Sequence, residues 1–120
     1  MGKPHVKRIY ERASKADGLR ILVDRLWPRG LSRERARLDH WLKEIAPSDE
    51  LRRWFGHDPA KWDEFKARYF RELDEQPELI AQLRELIRTN ERVTLLYSSR
   101  EFEFNNTVAL KLYLERSPEL

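Results

Sequence analysis

Two short apolar runs, Leu19-Arg20-Ile21-Leu22-Val23 and Val93-Thr94-Leu95-Leu96-Tyr97, lie some seventy positions apart, and each breaks off into polar sequence. Both are short, mostly apolar and carry β-branched residues, so they read as buried strands. His5 to Tyr10 alternates and reads as a third strand. Helical patterns fill most of the interval and follow the last strand. Buried strands separated by helices call for a parallel sheet with both faces covered. The expected fold is α/β, a small, mainly parallel sheet of three or four strands flanked by about five helices.

The helix signals are local. Ser32 can cap a helix from Arg33 whose apolar face would hold Leu38, Trp41, Leu42 and Ile45. Ser48 followed by Asp49 and Glu50 starts another, with Leu51, Trp54 and Phe55 on its apolar face and Gly56 at its end. Asp58-Pro59 opens a third, in which Trp62, Phe65, Tyr69 and Leu73 recur at three- and four-residue steps. Pro77 opens a fourth, carrying Leu79, Ile80, Leu83, Leu86 and Ile87. Asn105 or Asn106 caps the last, which runs through Val108, Ala109, Leu112 and Tyr113. Lys15 to Gly18 is a turn, Asp24 to Gly30 a loop broken by Pro28 and Gly30, and Ser98 to Glu103 a second loop.

The 120 residues amount to one domain, 1–120, large enough to bury a core without staples. The absence of cysteine excludes disulfides, thiolate metal sites and cysteine nucleophiles. No apolar run approaches the ~20 residues that span a bilayer, and no apolar stretch follows Met1 to His5 as a secretory signal would require. A soluble, cytoplasmic protein with no membrane partner is expected. Charge is unevenly spread. Residues 1–37 hold eleven Lys or Arg against four Asp or Glu, while the whole chain carries only +3. Arginine outnumbers lysine 17 to 7, and its planar fork suits phosphate and carboxylate. An anionic ligand is favoured over a cationic one.

In open α/β sheets the ligand crevice lies beyond the carboxyl ends of the strands. That rule selects the loop from Asp24 to Gly30 and the segment from Ser98 to Asn106. The first joins a carboxylate, Asp24, to Arg25, Arg29 and the indole of Trp27, a set able to hold an anion and stack on a planar group. The second offers Tyr97, Ser98, Ser99 and Arg100, followed by a helix start near Asn105, and hydroxyls beside a helix N-terminus suit an anion. Each has a plainer reading, in which Asp24 and the arginines only fix a loop, Trp27 plugs the core, the serines are turn residues and Asn105 is a cap. Neither serine lies in a Gly-x-Ser-x-Gly elbow, and there is no P-loop or Gly-x-Gly-x-x-Gly. His5, His40 and His57 lack ligand spacing, and Asp58 after His57 reads as a cap, so neither metal nor cofactor is expected. The aromatic run from Trp54 to Phe70 reads as core, and Arg33, Arg35 and Arg37 as solvated surface.

The string Leu22-Val-Asp-Arg-Leu-Trp-Pro-Arg-Gly30 is distinctive, as are Ile45-Ala-Pro-Ser48, Leu51-Arg-Arg-Trp-Phe55, His57-Asp-Pro59 and Val93-Thr-Leu-Leu-Tyr97. In this order they resemble the YeaO-like family, domain of unknown function 488, over essentially the whole chain. The resemblance implies a compact bacterial or archaeal α/β protein and places family motif positions on Asp24, Arg25, Trp27, Pro28, Arg29, Gly30, Trp41, Pro47, Ser48, Trp54, His57 and Asn105. It implies no reaction. Members usually show His-Asn where this chain has Phe104-Asn105, so any proton transfer by that histidine is absent here. Three readings stand. In the first, a phosphate- or nucleotide-like anion is held by Arg25, Arg29, Arg100, Ser98, Ser99 and Asn105, with Trp27 or Tyr97 stacking and Asp24 as candidate catalytic base or orienter of an arginine. In the second, the basic N-terminal third binds nucleic acid. In the third, the chain is a non-catalytic interaction subunit.

Overall fold

The computed structural model describes residues 3–116; Met1, Gly2 and residues 117–120, and with them both ends of the expected domain, lie outside it. Strands β1 (His5–Arg8), β2 (Leu19–Leu22), β3 (His40–Trp41) and β4 (Val93–Tyr97) form one sheet in the order β1-β4-β2-β3. All three pairings are parallel, with Val6 opposite Leu95, Leu22 opposite Leu96 and Leu22 opposite Trp41. Five α-helices accompany them: α1 (Arg33–Ala36), α2 (Asp49–Phe55), α3 (Trp62–Asp74), α4 (Pro77–Thr89) and α5 (Asn106–Arg116). The chain thus adopts the expected α/β fold. Among the described residues no helix is long and apolar enough to cross a membrane.

The two-residue period of a strand divides the core between the faces of the sheet. Ile21, Val23, Val93 and Leu95 pack against Phe55 of α2, Phe65, Tyr69 and Leu73 of α3, Leu83 of α4 and Leu110 of α5. Leu22 and Leu96 face the other way, into a smaller cluster with Ile9 and Ala36, closed over by Trp27, Leu31, Leu38 and Trp41. One face therefore carries four helices, and the other only α1 and the loops around it. The aromatic residues of α3 lie in the larger core, with Phe65 stacked on Phe55 at 4.1 Å between centroids. The fully buried Tyr69 hydroxyl donates to the Ile45 carbonyl at 2.8 Å, and burial pushes its pKa well up.

The segment after Ser32 departs from expectation. The helix stops after one turn, because Arg37 takes a left-handed conformation (φ 49°). The chain then forms β3 and a 3-10 turn at Lys43–Ile45 rather than a helical face. The open edge of β2 explains this. Its carbonyls need donors, and Asp39 N–H gives to Arg20 and Leu42 N–H to Leu22, each at 2.9 Å. The apolar residues then part company. Leu38 and Trp41 go to the smaller cluster, Leu42 and Ile45 to the larger, a division one helical face cannot make.

At the amino end of β2, Arg20 is buried within the protein. It donates to the carboxylate of Asp17 at 2.6 Å and to the Ala36 carbonyl at 2.8 Å. Lys7 of β1 reaches the same carboxylate at 2.8 Å, and Ser14 N–H donates to it at 3.0 Å. Burial alone would raise the Asp17 pKa, but the bonds from Lys7, Ser14 and Arg20 outweigh it and hold it below the ordinary value.

Candidate functional site

Because β2 and β4 are adjacent and parallel, their continuations leave the sheet at one rim. Asp24 follows β2 and Ser98 follows β4. The Ser98 N–H and hydroxyl both donate to Asp24 Oδ2, at 2.8 and 3.0 Å. Asn106, the first residue of α5, donates to Asp24 Oδ1 at 3.2 Å and to the Val23 carbonyl at 3.3 Å. The loops seventy positions apart in sequence thus meet on one carboxylate. Burial raises its pKa above the ordinary aspartate value, and the donors from Ser98 and Asn106, with His57 nearby, only partly offset this.

Beside Asp24 lies a cleft of about 200 Å³. Its polar wall comprises Asp24, Arg25, Arg52, His57, Ser98, Ser99 and Asn106, above the apolar floor of Phe55 and Phe65. Arg25 is half-buried and donates to the carbonyls of Ala46 and Pro47 at 3.0 and 3.4 Å. Among the described residues it makes no ion pair, so its charge is oriented without being cancelled. Arg52 meets Asp49 only at 3.4 Å, both side chains being about half exposed. His57 arrives through two successive left-handed residues, Gly56 (φ 53°) and His57 itself (φ 57°). Its Nδ1 lies 3.2 Å from the Phe104 carbonyl. A carbonyl only accepts, so Nδ1 carries the hydrogen and Nε2 is the ring's remaining polar atom.

The remaining expected site residues divide in two. Ser99 lines the cleft, although its hydroxyl is engaged with the Glu101 backbone at 2.9 and 3.1 Å. Trp27, Arg29, Tyr97, Arg100 and Asn105 are not on the cleft wall. The Trp27 indole donates to the Leu31 carbonyl at 2.6 Å, sits edge-on to Trp41 and is covered by Arg33 at 4.5 Å. Arg29 and Arg100 are exposed elsewhere on their loops. Tyr97 is buried, and burial together with Glu11 raises its pKa against the opposing charge of Arg8. Asn105 is fully buried as a helix cap: its Oδ1 accepts from Val108 N–H at 2.9 Å and its Nδ2 donates to the Glu101 carbonyl at 2.7 Å. Asn105→Ala is expected to lose about 1–2 kcal/mol of unfolding free energy in urea titration. Asp24 bonds to neither Arg25 nor Arg29.

Sequence reasoning did not single out Arg52, placed His57 only as a family motif position, and took Asn106, at the end of the selected segment, only as a possible helix cap. The Asn105-Asn106 pair held a usable signal, since one asparagine suffices as a cap and leaves the next to reach elsewhere. Nothing local marks Arg52. Among the described residues no group of three His, Asp or Glu side chains is placed to hold a metal ion.

A family model described as the inactive DUF488-N3 subclade matches residues 4–119. The chain belongs to the DUF488 family. The protein YeaO of Escherichia coli, described as uncharacterised, is 39% identical over 108 residues, 90% of this chain and 93% of YeaO. Uncharacterised proteins of Mycobacterium tuberculosis and Mycobacterium bovis are each 47% identical over 81 residues, 68% of this chain and 68% of theirs. No solved structure matches significantly. Within this DUF488 chain, Phe104 packs edge-on against Trp62 at 5.4 Å, in the aromatic cluster and off the cleft wall. The imidazole at the cleft is that of His57, docked on the Phe104 backbone.

Proposed function

We propose that this DUF488 protein binds a small anion, a phosphate or a phosphate-bearing group, in the cleft beyond β2 and β4, and does so without turning it over. The observation that carries the reading is the unequal charge of the wall: two guanidiniums stand against one carboxylate, and that carboxylate is already occupied by Ser98 and Asn106. Arg25 is held in place by carbonyls, so little side-chain entropy remains to be lost when an anion arrives. The first turn of α5 adds its positive dipole end through Asn106. Size restricts the ligand. Pockets for whole drug-sized molecules run about 300–1,000 Å³, so about 200 Å³ takes the anionic head while any attached body lies outside, over the exposed Leu26.

The way the hydroxyls are engaged supports a reading without turnover. Ser98 gives its proton to a carboxylate, Ser99 to a carbonyl, and among the described residues no hydroxyl is hydrogen-bonded to an imidazole. An imidazole-activated serine is therefore not found among the described residues. The family description as inactive agrees with this.

Titration calorimetry with inorganic phosphate, pyrophosphate and AMP tests the reading. Wild type should bind at least one of them. Arg52→Ala and His57→Ala should each weaken it about tenfold, near 1.4 kcal/mol, and Arg29→Ala should leave it unchanged. Flat heats from wild type for all three anions, or equal loss in Arg29→Ala, would overturn it.

A further inference from the structure

Among the described residues the exposed arginines of the thin layer form no ion pair, and neither do Arg53 and Arg71 of the four-helix layer. On the four-helix layer, Arg52, Lys66, Arg68, Arg88, Lys111 and Arg116 each sit beside a carboxylate. On the thin layer, none of Arg12, Arg29, Arg33, Arg35 and Arg37 forms an ion pair among the described residues. Arg33 lies instead over the rings of Trp27 and Trp41. Arg12, Arg29, Arg35 and Arg37 are exposed, and their guanidiniums make no hydrogen bond among the described residues.

Three of these side chains, Arg12, Arg35 and Arg37, line one groove. An open trough of about 790 Å³ runs between the segment after β1 and helix α1, walled by Tyr10, Arg12, Arg35 and Arg37, with Glu11 and Glu34 as its carboxylates. Arg29 adjoins it, because the Tyr10 hydroxyl donates to the Arg29 carbonyl at 2.6 Å. Tyr10 is 38% exposed as a residue and carries the Arg8 guanidinium over one face of its ring at 4.6 Å. The trough is separate in residues from the small-anion cleft: the two share none of their walls.

We propose that this trough is a docking surface for single-stranded nucleic acid. The arginines would take successive phosphates and the Tyr10 ring would offer a face for a base. An open groove bearing several unpaired forks suits an extended polyanion better than one compact ion. A duplex is a poor fit, because α1 spans only four residues and cannot act as a recognition helix in a major groove. The surface reads the backbone, so weak sequence preference and steep salt dependence are its signature.

The test is fluorescence anisotropy with labelled 12-residue oligo-dT and oligo-U, titrated from low to moderate potassium chloride. Three phosphate contacts give a log–log salt slope of about −2, and each arginine removed should flatten it by about 0.7. The double variant Arg12→Glu with Arg35→Glu should lose at least about tenfold in affinity. Its thermal melt should match wild type, since both side chains are exposed. The milder Arg12→Gln with Arg35→Gln should fall between. Arg52→Ala should bind the oligonucleotide as wild type does, which keeps this result independent of the small-anion cleft. No binding by wild type at low salt overturns the proposal. So does an unchanged affinity in the charge-reversed variant, or displacement by polyglutamate as effective as by unlabelled oligonucleotide, which would identify an acidic protein as the partner.

Discussion

Asp17→Ala should lower the unfolding free energy by about 3–5 kcal/mol, the usual consequence of removing one partner from a buried ion pair. The Arg20 side chain is only 5% exposed and the Asp17 side chain 8%. Without the carboxylate, Arg20 keeps its bonds to the Ala36 and Arg37 carbonyls but has no counter-charge beside it. Lys7 loses its partner too, and with it a link between β1 and the turn before β2. Urea denaturation followed by tryptophan fluorescence measures the loss; a change below about 1 kcal/mol would show that Arg20 finds solvent when released.

The same carboxylate sets a pH dependence. Its folded pKa lies below the unfolded value of about 4. The folded state therefore favours the ionised form. That stabilisation is complete above the unfolded pKa and is lost as pH falls through the folded one. Acid unfolding curves of wild type and Asp17→Asn should converge as pH drops below about 4, the variant being flatter. Asp24 acts in the opposite sense. Its raised pKa means the ionised form is disfavoured by folding, so its contribution declines as pH rises through the folded value.

Gly18→Ala is the second large effect, expected at roughly 3 kcal/mol or more. Gly18 sits at φ 66° and ψ −137°, backbone that is essentially glycine's own. A Cβ there would lie 2.2 Å from the Arg92 carbonyl oxygen and 2.7 Å from its carbon. Those are backbone atoms and cannot swing aside, and the same carbonyl accepts the Leu19 N–H at 2.8 Å. Relief would have to come from separating β2 from β4. Gly30→Ala is the control: its φ is also positive at 74°, yet a Cβ would meet nothing within 4 Å. Only conformational strain remains there, about 1 kcal/mol. Similar melting temperatures for the two variants would contradict this difference.

Strands with continuous apolar runs and helices with caps were legible from sequence because both signals are local. Leu19 to Leu22 and Val93 to Tyr97 carry their own pattern, and Ser48 and Asn105 each cap the helix that follows. Strand β3 was illegible for the converse reason. Two residues hold no period, and what makes His40-Trp41 a strand is the unfilled edge of β2, supplied from elsewhere. The rim position of Asp24 and Ser98 followed from the general rule for open sheets. Arg52 and His57 reach that rim from α2 and the turn after it, a placement fixed by tertiary packing and the two left-handed residues. The division of labour within Asn105-Asn106 depends on which amide faces Asp24, and sequence spacing does not encode that.

The strand order has a consequence for biosynthesis. Strand β4 lies between β1 and β2, so β1 finds its neighbour only in residues 93–97, and β2, edged on its other side by the two-residue β3, waits for the same residues. At about 5–20 residues per second, a ribosome holds this chain for several seconds with Leu19 to Val23 already emerged and only the two-residue β3 to pair with. The sheet can close only once residues 93–97 have emerged. Newly made copies thus pass through an interval in which chaperones, or each other, are the available partners for that greasy stretch.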